Sequence, residues 1–127
     1  MRAFNSLKWQ KKTQPKEYEK AKRSYLETME DITVTATSLF FNALLSQRNL
    51  ERAQKNYQNT ETLYRIAKER FELGKVTKSE LLQLELRLLN DGLSINQSQL
   101  NLDMNQLKLK SYLGYNESVQ LELVLPD

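Results

Sequence analysis

The chain has 127 residues, 39% apolar and 28% charged, with a net charge of +3 and a mean hydropathy of −0.67. That is one domain's worth of sequence with a modest core, and only mildly basic, so nucleic-acid binding is weakly indicated. It contains no cysteine and no histidine, which excludes disulfides, thiol chemistry and most zinc sites. Three glycines and two prolines leave few turns, and few turns in a chain this long imply long helices.

Residues 1–14 read as a short extended segment, with Phe4, Leu7 and Trp9 as the only large apolar groups. The stretch lacks the apolar core of a secretory leader. No apolar run approaches the ~20 residues that cross a bilayer as a helix. The chain therefore reads as cytosolic, or as an internal piece of a longer exported protein. Pro15 suits the first turn of a helix, where a missing N–H costs nothing, and the first helix is expected over 15–72. Its apolar residues alternate by four and three: Tyr25, Met29, Ile32, Ala36, Leu39, Ala43, Ser46, Leu50, Ala53, Tyr57, Thr60, Tyr64, Ala67, Phe71. Only Ser46 and Thr60 break a heptad that predicts a left-handed coiled coil. At 1.5 Å per residue such a helix would be a rod of ~85 Å. The β-branched run Ile32–Thr37 would suit a strand, but the heptad crosses it in phase. Leu39–Leu45, LFFNALL, is apolar nearly all round and predicts burial on several sides.

A turn is expected at 73–77. Gly74 is placed to take positive φ and end the first helix. Thr77 or Ser79 would cap the second, and Thr77 with Glu80 has capping-box spacing. The second helix is expected over 78–113, stopped by Gly114. It carries two seven-residue series, Leu81, Leu88, Ile95, Leu102, Leu109 and Leu86, Leu93, Leu100, Leu107, about 150° apart around the helix. Two seams predict a neighbour on each side, either in a helical bundle whose amide residues face solvent or in a ring of helices with polar faces inside and out. Between the seams the face is rich in Asn and Gln. Residues 115–127 alternate with period two and read as a strand-like tail with no sheet to join, which suggests truncation. The expected fold is all-α, a long antiparallel coiled-coil helical hairpin over 15–114 with that short tail.

No catalytic set is present. There is no Cys or His nucleophile or base, and Gly74, Gly92 and Gly114 stand alone rather than forming a phosphate loop. The carboxylates Glu27, Glu30 and Asp31 suit a solvated coiled-coil face. The chain is expected to be no enzyme and to need no cofactor or metal.

The order of features resembles the TolC-type outer-membrane efflux family. The residues that carry the likeness are Phe40-Phe41, Leu44-Leu45 and Gln47 early in a long helix. A charged stretch follows, closing on Phe71-Glu72-Leu73-Gly74. After a short turn come Leu81-Leu82 and a Gln/Asn-rich helix ending at Leu113-Gly114. Leu84-Glu85 departs from the alanine-glutamine often found there, and members of that family are far longer, with two such repeats. The resemblance implies one helical arm of a periplasmic α-barrel, a passive conduit belonging to a homotrimeric channel in the Gram-negative outer membrane. It also implies that the helix–turn–helix tip docks a periplasmic adaptor protein and, through it, an inner-membrane pump. By position that tip surface would be Arg70, Gly74, Lys75, Val76, Thr77 and Ser79, with Val76 an apolar group at an exposed turn. Two other readings stand beside it, an adaptor's own helical hairpin and a cytosolic coiled-coil interaction module. An isolated arm with exposed seams is expected to self-associate.

Overall fold

The computed structural model describes the backbone of residues 2–124 and the side chains of 15–119. It holds two helices, α1 (Arg2–Glu72) and α2 (Lys78–Val124), and no strand among the described residues. The chain divides into two units, Met1–Thr37 and Ser38–Asp127.

In the first unit the helix begins at Arg2, not at Pro15, which lies inside it. Residues 2–14 are helical rather than extended. They hold Ala, Leu, Lys and Gln, good helix formers, with no glycine and one β-branched residue, and this local preference outweighs the one hydrogen bond that Pro15 cannot donate. The side chains of Phe4, Leu7 and Trp9 lie outside the described residues. The β-branched run stays helical with help from its own hydroxyls. Thr33 donates to the Met29 carbonyl at 2.8 Å and Thr37 to the Thr33 carbonyl at 2.7 Å, so each hydroxyl is satisfied one turn back along the same helix.

The second unit is an antiparallel hairpin of two packed helices. The α1 side of the seam is the expected heptad: Leu39, Ala43, Ser46, Leu50, Ala53, Tyr57, Thr60, Tyr64 and Ala67 are all buried or half-buried. Tyr25 and Phe71, the ends of the predicted series, are exposed. The α2 side uses Leu81, Leu88, Ile95, Leu102 and Leu109, interleaved with Leu84, Asp91, Ser98, Asn105 and Tyr112. Two helices cannot enclose much, and the buried apolar side chains among the described residues are Leu50, Ala53, Ala67 and Leu102.

The two residues that break the heptad are the ones that pair across it. Thr60, at 1% exposure, donates its hydroxyl to Asp91 Oδ2 at 2.5 Å. Asn105 Nδ2 donates to Ser46 Oγ at 2.5 Å, and Ser46 passes its own proton to the Asn42 carbonyl at 2.9 Å. Both pairs stand two heptads apart on each helix, as one antiparallel register requires. No described buried side-chain polar atom is left without a partner.

Three further expectations fail. α2 does not stop at Leu113 but runs through Gly114 to Val124. Gly114 has no positive φ, and a glycine inside a helix costs only ~1 kcal/mol relative to alanine. With no sheet partner, the period-two tail over 115–124 continues as helix; Leu125–Asp127 lie outside the described residues. LFFNALL is not buried on several sides: Leu39 and Ala43 enter the seam, while Phe40, Phe41, Leu44 and Leu45 are exposed, the two rings meeting edge-on with centroids 6.4 Å apart.

Candidate functional site at the hairpin tip

The tip is built by two capping motifs back to back. At the end of α1, Gly74 has φ +74°, and its N–H donates to the Phe71 carbonyl at 2.9 Å while Lys75 N–H reaches the Arg70 carbonyl at 2.8 Å. This pair of bonds is a Schellman closure, and it needs the left-handed residue that glycine supplies. A Cβ on Gly74 would meet nothing within 4 Å, so conformation rather than space selects glycine. At the start of α2, Glu80 N–H donates to Thr77 Oγ1 at 3.1 Å, and Thr77 N–H donates to Glu80 Oε2 at 3.2 Å. That is the reciprocal capping box anticipated from Thr77 and Glu80, with a carboxylate at the positive helix end.

Beside the turn an open groove of about 470 Å³ runs between the helices. It is lined by the apolar Leu63, Ile66, Ala67, Val76 and Leu84 and by the polar Arg70, Arg87, Glu80 and Gln83. Of the tip residues singled out from sequence, Arg70 and Val76 line this groove. Gly74, Lys75 and Thr77 are exposed on the turn itself, and Ser79 is exposed in the first turn of α2. Val76 is half-buried and lines the groove; the exposed apolar group of the turn is Leu73, at 70%. Leu63 and Ile66 escaped the sequence reading because they lie off the heptad. Their spacing with Ala67 and Arg70 (i, i+3, i+4, i+7) places them on one helix face, a signal that was there to be used.

A groove with apolar lining and two guanidinium groups can seat a side chain or helix end with apolar and acidic groups. Among the described residues no cluster of acidic side chains is arranged to hold a metal ion, and no helix is long and apolar enough to cross a membrane.

The opposite face of α2 is bare. Leu86, Leu93, Leu100 and Leu107, the second predicted seam, are each more than half exposed, as are Leu82, Leu89 and Met104. Alongside lies a second, shallower groove of about 740 Å³, lined by Tyr57, Leu86, Leu89, Gly92, Leu93 and Asn96 among others. The chain matches no protein-family model, no curated protein and no solved structure.

Proposed function

We propose that this chain is a periplasmic hairpin segment of a TolC-like outer-membrane export channel, a passive conduit whose tip docks an adaptor protein of a tripartite pump. The support is the order of residues given above, from Phe40-Phe41 through Leu113-Gly114. The observation that carries the docking half is the tip: a rigidly capped turn beside an apolar groove flanked by Arg70 and Arg87. A docking surface needs a fixed frame and an apolar centre with a polar rim, and both are present at the one place where the helices turn.

The test is export by the source cell. With Val76→Asp or Leu63→Glu in the full reading frame, export should fall while trimer assembly in the outer membrane persists. Unchanged export in both variants removes the docking role. A reading frame without an export leader and a second hairpin repeat removes the channel role itself.

A second reading, a coiled-coil interaction module, is favoured by a different observation: the uncovered leucine face of α2.

A further inference from the structure

We infer that the exposed face of α2 is a self-complementary surface whose partner is α2 of a second copy of this chain, packed antiparallel about a two-fold axis. The inference extends the interaction-module reading and needs nothing from the channel reading.

The argument begins with spacing. Along the face the residues are Leu86, Leu89, Leu93 and Asn96, then Gln97, Leu100, Met104 and Leu107. The intervals are three, four and three on both sides of the Asn96–Gln97 midpoint. An axis through that midpoint brings Leu86 level with Leu107, Leu89 with Met104, Leu93 with Leu100, and amide with amide. All eight side chains are exposed. A surface that reads the same in both directions is what an isologous contact requires, since each patch meets its own copy.

Shape gives a second reason. The groove beside α2 is lined from Leu86 to Asn96, with Gly92 in its floor. The other half of the face, Leu100, Met104 and Leu107, lies outside that groove and is more than half exposed. The same axis lays Leu100, Met104 and Leu107 of each copy over the groove of the other, twice over. Gly92 presents no side chain to obstruct it, its nearest neighbour being a Tyr57 ring carbon 3.7 Å from where a Cβ would stand.

Charge selects the direction. A parallel pair in register would set Asp103 against Asp103, Lys110 against Lys110 and Glu85 against Glu85. The antiparallel pair puts Asp103 level with Asn90, Lys110 with Gln83, and Glu85 with Lys108. Like charges in contact oppose pairing, so only the antiparallel arrangement is free of them. The outer face of α1 matches that of α2 less well, because its exposed Leu44, Leu45 and Leu63 stand only at the two ends of the stretch alongside. Alongside this face its outward residues between Gln47 and Thr62 are all polar, with Arg48, Glu51, Arg52 and Lys55 among them.

The chain has no native cysteine, so direction is readable by cross-linking. In the 127-residue protein, Gln83→Cys and Lys110→Cys mark the two ends of the face. Under mild oxidation a mixture of the two variants should give a disulfide-linked heterodimer, and neither alone should cross-link. Sedimentation should show the unmodified chain as a dimer, and Leu93→Glu should raise its dissociation constant by at least ~100-fold with helix content unchanged. Leu100→Glu, at the mirrored position, should do the same and guards against a local misfolding effect at Leu93. A monomer at all soluble concentrations overturns the inference, as does association unaffected by both substitutions. Self-cross-linking of Gln83→Cys, or a trimer with all tips at one end, also overturns it and would favour the ring of the channel reading.

Discussion

Replacing Thr60 by valine removes one hydroxyl from the most buried side chain of the hairpin and leaves its shape. The hydroxyl is the partner of Asp91 Oδ2 at 2.5 Å, and Asp91 is itself half-buried in the seam. Without that donor a partly desolvated carboxylate oxygen faces apolar atoms, which costs about 1–3 kcal/mol. For a hairpin of this size each kcal/mol shifts the melting temperature by about 4–8 °C. Asp91→Leu alone should cost less, because the Thr60 hydroxyl can turn to a carbonyl one turn back in its own helix, as Thr33 and Thr37 do. The double variant Thr60→Val/Asp91→Leu has no orphaned polar group and should equal or exceed the parent, since apolar replacement of both partners is often neutral or stabilising. The assay is urea denaturation followed by circular dichroism at one protein concentration, because self-association would otherwise enter the comparison. A coupling energy near zero, or a double variant less stable than Thr60→Val, would refute the view that the pair is stabilised mutually.

Gly74→Ala should destabilise the hairpin by about 1 kcal/mol, and Gly74→Asn by less, because the loss arises from positive φ and not from a clash; equal stability of all three in chemical denaturation would contradict this. Thr77→Ala should cost about 0.5–2 kcal/mol by removing the cap of α2, with amide exchange rising first at residues 78–81. Gly114→Ala should raise stability by up to ~1 kcal/mol, since α2 runs through it and a Cβ there would meet nothing within 4 Å; a loss on thermal melting would mean that α2 ends near Leu113 as its sequence first suggests.

The hairpin and its turn were readable because they depend on local rules. A heptad sets one helix face, glycine sets the left-handed cap, and Thr77 with Glu80 sets the next start, all within a few residues. What depends on distant partners was not. The α2 seam is half disguised: Asp91, Ser98 and Asn105 occupy positions where an apolar residue is expected, and their fitness is visible only opposite Thr60, Ala53 and Ser46. That disguise made the Leu86 series look equal in rank to the Leu81 series, although only the latter meets α1. Pro15 and Gly114 misled for the opposite reason. They are strong local punctuation, but a single missing bond or an entropic cost near 1 kcal/mol does not end a helix whose neighbours all favour it. At the tip, Arg70 and Val76 were found by position along the chain, whereas Leu63, Gln83, Leu84 and Arg87 reach the groove only through the pairing of the helices.

The unequal outer faces of the two helices bear on both functional readings at once. A ring of identical hairpins closes only if the outer face of α2 fits the outer face of α1 on the next copy, a heterologous contact repeated around the axis. Here α2 offers leucines from Leu86 to Leu107, while α1 between Gln47 and Thr62 offers only polar side chains. Burying those leucines against Arg48, Arg52 and Lys55 would cover the charged heads or leave the leucines wet, and neither is favourable. A channel built from this hairpin therefore requires a second, non-identical hairpin whose adjoining face is apolar, which is what a two-repeat chain would supply. Among the described residues the surface that matches that face along its whole length is its own α2, since the exposed apolar groups of α1, Leu44, Leu45 and Leu63 among them, flank the polar stretch rather than fill it. The orientation of the tips in the purified chain and the sequence of any second repeat are thus two separate measurements. An apolar stripe at 3,4 spacing on the adjoining helix of that repeat would support the conduit, and a polar one would exclude it.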